Sequence, residues 1–143
     1  AEVTLGIQTD TDDAEGEAVS LKDVNINEFE VEEALLTFLG ESDQLPPNYS
    51  ALKHKGKPMY KYARGGIKIE KAARKILIKN IQNVEIDLPK VSFDIQCSKG
   101  TYIRSIARDL GLRLGCGAHL SKLIRTSQEK FLLSDACSID TLI

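Results

Sequence analysis

Residues 74–114, RKILIKNIQNVEIDLPKVSFDIQCSKGTYIRSIARDLGLRL, decide the fold. In the first part, KILIKNIQNVEIDL and KVSFDIQCS alternate apolar and polar residues on either side of a DLPK turn. Period two over both runs predicts an antiparallel hairpin with one buried face. In the second part Ile103, Ile106, Ala107, Leu110 and Leu114 recur with helical period, with Thr101 placed to cap the start and Gly115 to end it. That helix carries Arg104 in its first turn, where the macrodipole disfavours positive charge. Lys99 adds a second positive charge to the same corner. Either Arg104 is an ordinary solvated side chain or an anion is held there.

Upstream, EVTLGIQ alternates like a strand and leads into TDTDDAEGEAV, a polar loop crowded with carboxylates. Its glycine and glutamate do not stand at the positions of a calcium loop, so no metal site is predicted. Asn27 is placed to cap a helix, with Glu30 three residues on and Val31, Leu35 and Phe38 along one face until Gly40. Downstream, AHLSKLIRTSQEKFLL predicts one or two short strands and SIDTLI a terminal helical turn. Strands grouped around isolated helices predict an α+β protein with a mainly antiparallel sheet and flanking helices. His119 reads as a packed or capping histidine, and Cys97 and Cys116 as small core residues, with Tyr49 a further core candidate.

At 143 residues the chain has the length of one domain, and its three cysteines and two histidines lack metal-ligand spacing. No run approaches the roughly 18 apolar residues of a membrane span, and no signal-peptide pattern opens the chain. Reduced thiols, a cytoplasmic location and a monomer are the expectation. The net charge of -2 hides a segregation: residues 1–47 hold thirteen acids and one base, whereas 53–79 hold ten basic residues and one acid. The basic run, with Tyr60 and Tyr62 inside it, is the footprint of an RNA partner, because phosphates pair with the cations and bases stack on the rings. A solvated, helix-friendly face is the alternative for the lysines alone. Residues 46–74 therefore read as a basic RNA-binding arm, mobile when unbound, with Lys53, Lys55, Lys57, Tyr60, Tyr62 and Arg64 as its contacts and Lys99 beside it. Its double proline and the five polar or small residues before Lys53 argue against a strand, and Pro58 is placed to open a short helix that ends at Gly65 and Gly66. A strand beginning at the second residue, with no initiator methionine, predicts that the chain is a piece of something longer.

LGIQTDTDDAEG, PPNYSALKHKGKPMYKYARGG, CSKGTYIRSIARDLG and LGCGAHLSKLIR occur in this order along the chain. In sequence and spacing they resemble the bacterial tRNA pseudouridine synthase B family. The resemblance runs over essentially all 143 residues, which would then form the C-terminal portion of that family's catalytic domain. It implies isomerisation of the T-loop uridine of tRNA to pseudouridine, without cofactor or metal. An aspartate attacks the flipped nucleotide, and the base detaches, turns and rejoins the sugar through carbon.

The resemblance also implies roles for particular residues. Arg104 would pair with the catalytic aspartate and keep it ionised, since an adjacent cation stabilises the charged carboxylate. Asp13 would join that arginine–aspartate network. Tyr102 would contact the flipped uracil, and Leu123 would form an apolar wall of its pocket. Three parts of the family pattern are missing from these residues. They are the GxLDPxATG-type motif that carries the nucleophilic aspartate, the tyrosine that stacks on the uracil, and the small C-terminal RNA-binding domain. The parent is therefore expected to be an enzyme and this piece alone to be inactive. A stand-alone RNA-binding module is the alternative.

Overall fold

The computed structural model describes residues 1–47, 53–54, 57–58 and 72–136. Its centre is the expected hairpin, β7 (Arg74–Asp87) and β8 (Lys90–Cys97), turned at Leu88 and Pro89. Ile76 and Ile78 point into the core from β7, and Val91 and Phe93 from β8. Further along β7 the inward side chains are Ile81, Val84 and Ile86, so the spacing slips from two residues to three. Two register shifts, between Ile78 and Asn80 and between Gln82 and Glu85, absorb the extra residues and keep the apolar face inward.

Around this hairpin β4 (Gly40–Gln44), β1 (Glu2–Leu5) and β9 (Ala118–Lys122) complete a five-stranded sheet in the order β4-β7-β8-β1-β9, with every pairing antiparallel. Helix α1 (Glu28–Leu36) packs on β7, helix α2 (Ile103–Leu114) packs on β9, and the two helices touch. Val31, Leu35, Ile106, Ala107 and Leu110 close one core with Val3, Leu5, Ile78, Val91, Phe93 and Leu120. Gly111 sets how closely α2 approaches the sheet. A Cβ there would lie 2.2 Å from the Ala118 nitrogen, a separation that only glycine avoids. The α+β expectation with a mainly antiparallel sheet holds.

Local details differ from the reading of the sequence. EVTLGIQ is two strands, because Gly6 takes φ 85° and turns the chain out of the central sheet. β2 (Ile7–Thr9) then pairs with β3 (Ala18–Leu21) in a separate ribbon. Asn27 caps α1 as expected, its side chain accepting from the Glu30 N–H at 2.9 Å. The helix ends at Leu36, however, with Thr37 as its C-cap, and Gly40 opens β4 with φ 93°. The N-cap of α2 is Tyr102, not Thr101, whose hydroxyl is hydrogen-bonded with that of Ser98 at 3.2 Å. In the arm, β5 (Lys53–His54) and β6 (Lys57–Pro58) form a two-residue ladder where the prolines argued against strand. Pro58 there pairs with Lys53 instead of opening a helix. The remainder of that expected helix, the arm's mobility, Tyr49 and the terminal turn at SIDTLI lie outside the described residues. Past β9, β10 (Ser127–Gln128) and β11 (Phe131–Leu132) bring the strands of AHLSKLIRTSQEKFLL to three where one or two were expected, followed by a single 3-10 turn, Leu133–Asp135.

Candidate active site

The first turn of α2 faces the acidic loop between β2 and β3. Arg104 Nη1 lies 3.9 Å from Asp13 Oδ2 and donates to the Thr11 carbonyl at 3.4 Å. A negative carboxylate and a carbonyl oxygen therefore offset the unfavourable end of the helix dipole. Among the described residues, Arg104 makes no other hydrogen bond or ion pair, so its Nε and Nη2 donors remain open. Both side chains are about a quarter exposed, at 23% and 29%, which leaves them within reach of a bound molecule.

Asp13 is fixed by its own turn. Its Oδ1 accepts from the Thr11 hydroxyl at 2.6 Å and from the Glu15 N–H at 3.0 Å, while its carbonyl accepts from the Thr9 hydroxyl at 2.6 Å. Asp10 is used similarly, accepting from the Glu17 N–H at 3.0 Å. Two acids of this loop thus serve the backbone as turn acceptors. Asp13 also bridges Leu120 of β9, so the turn is tied to the sheet edge against which α2 packs.

Tyr102 is held through its backbone. Buried Gln44, at the end of β4, accepts from the Tyr102 N–H at 2.9 Å and donates to the Tyr102 carbonyl at 3.1 Å. The carboxamide reproduces one rung of a strand ladder and sets where α2 begins. One turn further on, every nitrogen of Arg108 has a partner. Its Nε lies 3.1 Å from Asp109 Oδ1, Nη1 3.7 Å from Asp12 Oδ2, and Nη2 donates to the Leu45 carbonyl at 2.8 Å. Neither Gln44, Arg108 nor Asp12 stood out in the sequence. A signal existed: two arginines four residues apart share a helix face, and two adjacent aspartates can answer them.

The other expected residues are more scattered. Leu123 lies one residue beyond β9 and is 53% exposed. Lys99 is exposed in the turn before α2 and makes no ion pair among the described residues. Lys53 and Lys57 lie on the small β5–β6 ladder, whereas Lys55, Tyr60, Tyr62 and Arg64 fall outside the described residues. His119 is buried, and its Nδ1 donates to the Ile7 carbonyl at 2.7 Å, a structural tie between β9 and β2. Burial pushes the Cys97 thiol up, which opposes the reactive thiolate.

Residues 1–103 match the family model of the TruB family pseudouridylate synthase (N terminal domain). The chain belongs to this TruB family. A second model, the tRNA pseudouridylate synthase B C-terminal domain, matches residues 104–143. The boundary between the two falls inside α2, which is one continuous helix. Among curated relatives, the tRNA pseudouridine synthase B of Alkaliphilus oremlandii (strain OhILAs) is 48% identical over 142 residues, 99% of this chain and 48% of that protein. The tRNA pseudouridine synthase B of Burkholderia mallei (strain NCTC 10247) is 46% identical over 99% of this chain and 47% of that protein. The chain thus spans about half the length of the curated relatives it matches. Of the solved structures, one from a Cbf5-Nop10-Gar1 complex superposes with a TM-score of 0.53 at 27% identity, covering 84% of this chain and 27% of that one. That match supports the α+β fold. Among the described residues no helix is long and apolar enough to cross a membrane.

Proposed function

We propose that these residues form the arginine-bearing part of the catalytic domain of a tRNA pseudouridine synthase acting in the cytoplasm on the T-loop uridine. The observation that carries this reading is the open half of the Arg104 guanidinium. Nη1 is committed to Asp13 and Thr11, while Nε and Nη2 face no protein acceptor among the described residues. A planar fork in that state can take a second carboxylate and fix its direction, which a point-charge lysine cannot. The second carboxylate is the nucleophilic aspartate, contributed by residues other than these 143, since none of them carries the GxLDPxATG motif.

The chemistry fits such a site. The N1–C1′ bond of the uridine breaks and a C5–C1′ bond forms, with the C5 hydrogen leaving as a proton and N1 gaining one. Substrate and product are isomers, so no co-reactant is consumed and a cofactor is not required. A carboxylate held ionised by Arg104 attacks the nucleotide. Tyr102, fixed by Gln44 beside Arg104, contacts the flipped uracil, and exposed Leu123 supplies an apolar wall. Lys53, Lys55, Lys57, Tyr60, Tyr62, Arg64 and Lys99 bind the T-stem-loop through phosphates and base faces.

Loss of the C5 hydrogen supplies the assay: tritium release from tRNA carrying [5-³H]uridine. The full-length enzyme releases tritium, the 143-residue chain alone releases none, and Arg104→Lys in the full-length enzyme slows release about 10- to 100-fold. Retained rate with weakened tRNA affinity would make Arg104 a phosphate contact and sink the assignment. A second reading, an RNA-binding module without chemistry, is favoured by the missing nucleophile motif. Tight tRNA binding with no release from the full-length protein would establish it.

A further inference from the structure

The role given to Arg104 requires that Asp13 be held still beside it, and the turn that carries Asp13 is not relaxed by itself. Asp12 takes φ 65°, the left-handed region, which an aspartate tolerates but does not favour. Such a conformation persists only where the surroundings over-determine it. Here they do. The Asp12 carbonyl accepts from the Leu120 N–H at 2.8 Å, and the Asp13 carbonyl accepts from the Thr9 hydroxyl at 2.6 Å. The Asp12 carboxylate, its side chain only 8% exposed, meets Arg108.

The left-handed step lets two successive carboxylates reach two arginines one helical turn apart. Asp12 goes to Arg108 and Asp13 to Arg104. Arg108 also holds the Leu45 carbonyl, one residue beyond the Gln44 that clamps Tyr102. One side chain thereby ties together the acidic turn, the exit of β4 and the helix that presents Arg104.

We propose that Arg108 is a positioning residue for the reaction: it aligns the Asp13-bearing turn with Arg104, and through Leu45 aligns the strand end that sets Tyr102. The proposal rests on the reading of Arg104 above, and its consequences separate from that reading. Each nitrogen of Arg108 has a partner within the protein and its side chain is 13% exposed, so the role proposed for it is not a substrate contact. Its effect passes through geometry, so it alters turnover and leaves tRNA binding nearly unchanged.

The test uses Arg108→Lys, which keeps a cation for Asp12 but lacks the planar fork that reaches Asp12, Asp109 and the Leu45 carbonyl from three separate nitrogens. Asp12→Asn, near-isosteric, serves as a milder companion. In the full-length enzyme Arg108→Lys should lower kcat about 10- to 100-fold with KM for tRNA changed less than about threefold. In the 143-residue chain the same variant should speed amide exchange at Leu120. It should also loosen the Arg104 side chain, read by ¹⁵Nε relaxation, while amides of Val91 and Phe93 keep their protection. Asp12→Asn should move each readout the same way by less. A lowered Tm with unchanged kcat and an unchanged Arg104 signal would reduce Arg108 to a purely structural residue and overturn the proposal. Should Arg104→Lys leave the rate intact, the functional reading fails, and the exchange and relaxation data still decide what Arg108 aligns.

Discussion

Arg104 and Arg108 occupy successive turns of one helix and both face the acidic loop, yet their surroundings differ in kind. Arg108 is nearly enclosed, with all three nitrogens engaged by Asp109, Asp12 and a main-chain carbonyl. Arg104 is more open and uses one nitrogen only. Arg104 is partly exposed, so water can satisfy its remaining donors, and the proposed function gives them a carboxylate in place of that water. Arg108 ties the acidic turn to the exit of β4, whereas Arg104 keeps donors for a further acceptor, which the proposed function identifies as the nucleophilic carboxylate.

The sharpest way to break this contrast is thermodynamic. Arg108→Met strips a cation from the enclosed Asp12 carboxylate and a donor from the Leu45 carbonyl, a loss of about 2–3 kcal/mol. Arg104→Met removes a long, partly exposed pairing, so its cost is about 1 kcal/mol or less once solvent screening is counted. Urea denaturation of the two variants measures both. Equal losses would mean that Arg104 is as structural as Arg108, and the functional reading of its open donors would fall.

How much of this was legible in the sequence follows from the physical range of each signal. The β7–β8 hairpin and the α2 helix were readable, because one apolar face repeats along each of them and Gly115 ends the helix in the left-handed region. β4 was not. GESDQ carries no apolar alternation, and it forms a strand because its backbone pairs with β7 from Gly40↔Ile78 to Gln44↔Arg74. The break at Gly6 was likewise invisible, since it is imposed from a distance. The Lys22 N–H donates to the Gly6 carbonyl and the Gly6 N–H to the Gly117 carbonyl, both at 2.8 Å. For the site, Arg104 and Asp13 came from a family resemblance, while Gln44 and Arg108 act through contacts spanning 58 and 63 residues. No local pattern reports pairings of that range.

Gln44 offers a second, smaller test on the same helix. Gln44→Ala leaves the Tyr102 N–H and carbonyl without the side chain that holds them. Water can replace part of that pairing because Tyr102 is half-buried, so the loss belongs at the low end of about 1–3 kcal/mol. Amide exchange at Tyr102 and Ile103 should rise while that at Leu110 is unchanged. Fraying of the entire helix would show that α2 depends on this clamp for its existence and not merely for its starting point.

The smallest expected effect lies at the opposite edge of the sheet, where an ion pair is governed by pH instead of by enclosure. The Glu2 carboxyl is held below its ordinary range first by the Ser121 hydroxyl, 2.9 Å from Oε1, and then by Lys122 and Lys90. A depressed folded-state value means that the folded protein binds this proton less readily than the unfolded chain does. The associated stability is therefore complete above the unfolded midpoint of about pH 4.3 and fades as pH falls through the lower folded midpoint. Ser121→Ala lets Glu2 return toward its ordinary value, so the variant should lose stability at neutral pH and lose less on acidification. Ser121 shares its single O–H between Oε1 and the Glu2 carbonyl, 3.0 Å away, and accepts from the Thr4 hydroxyl at 2.8 Å, and the bonds to these neutral groups add an offset that remains when Glu2 is protonated. The difference between parent and variant should thus shrink, without vanishing, as pH drops from 6 to 3 in a series of urea titrations. A difference constant across that range would assign the whole effect to the neutral hydrogen bonds and leave Glu2 with no part in acid sensitivity.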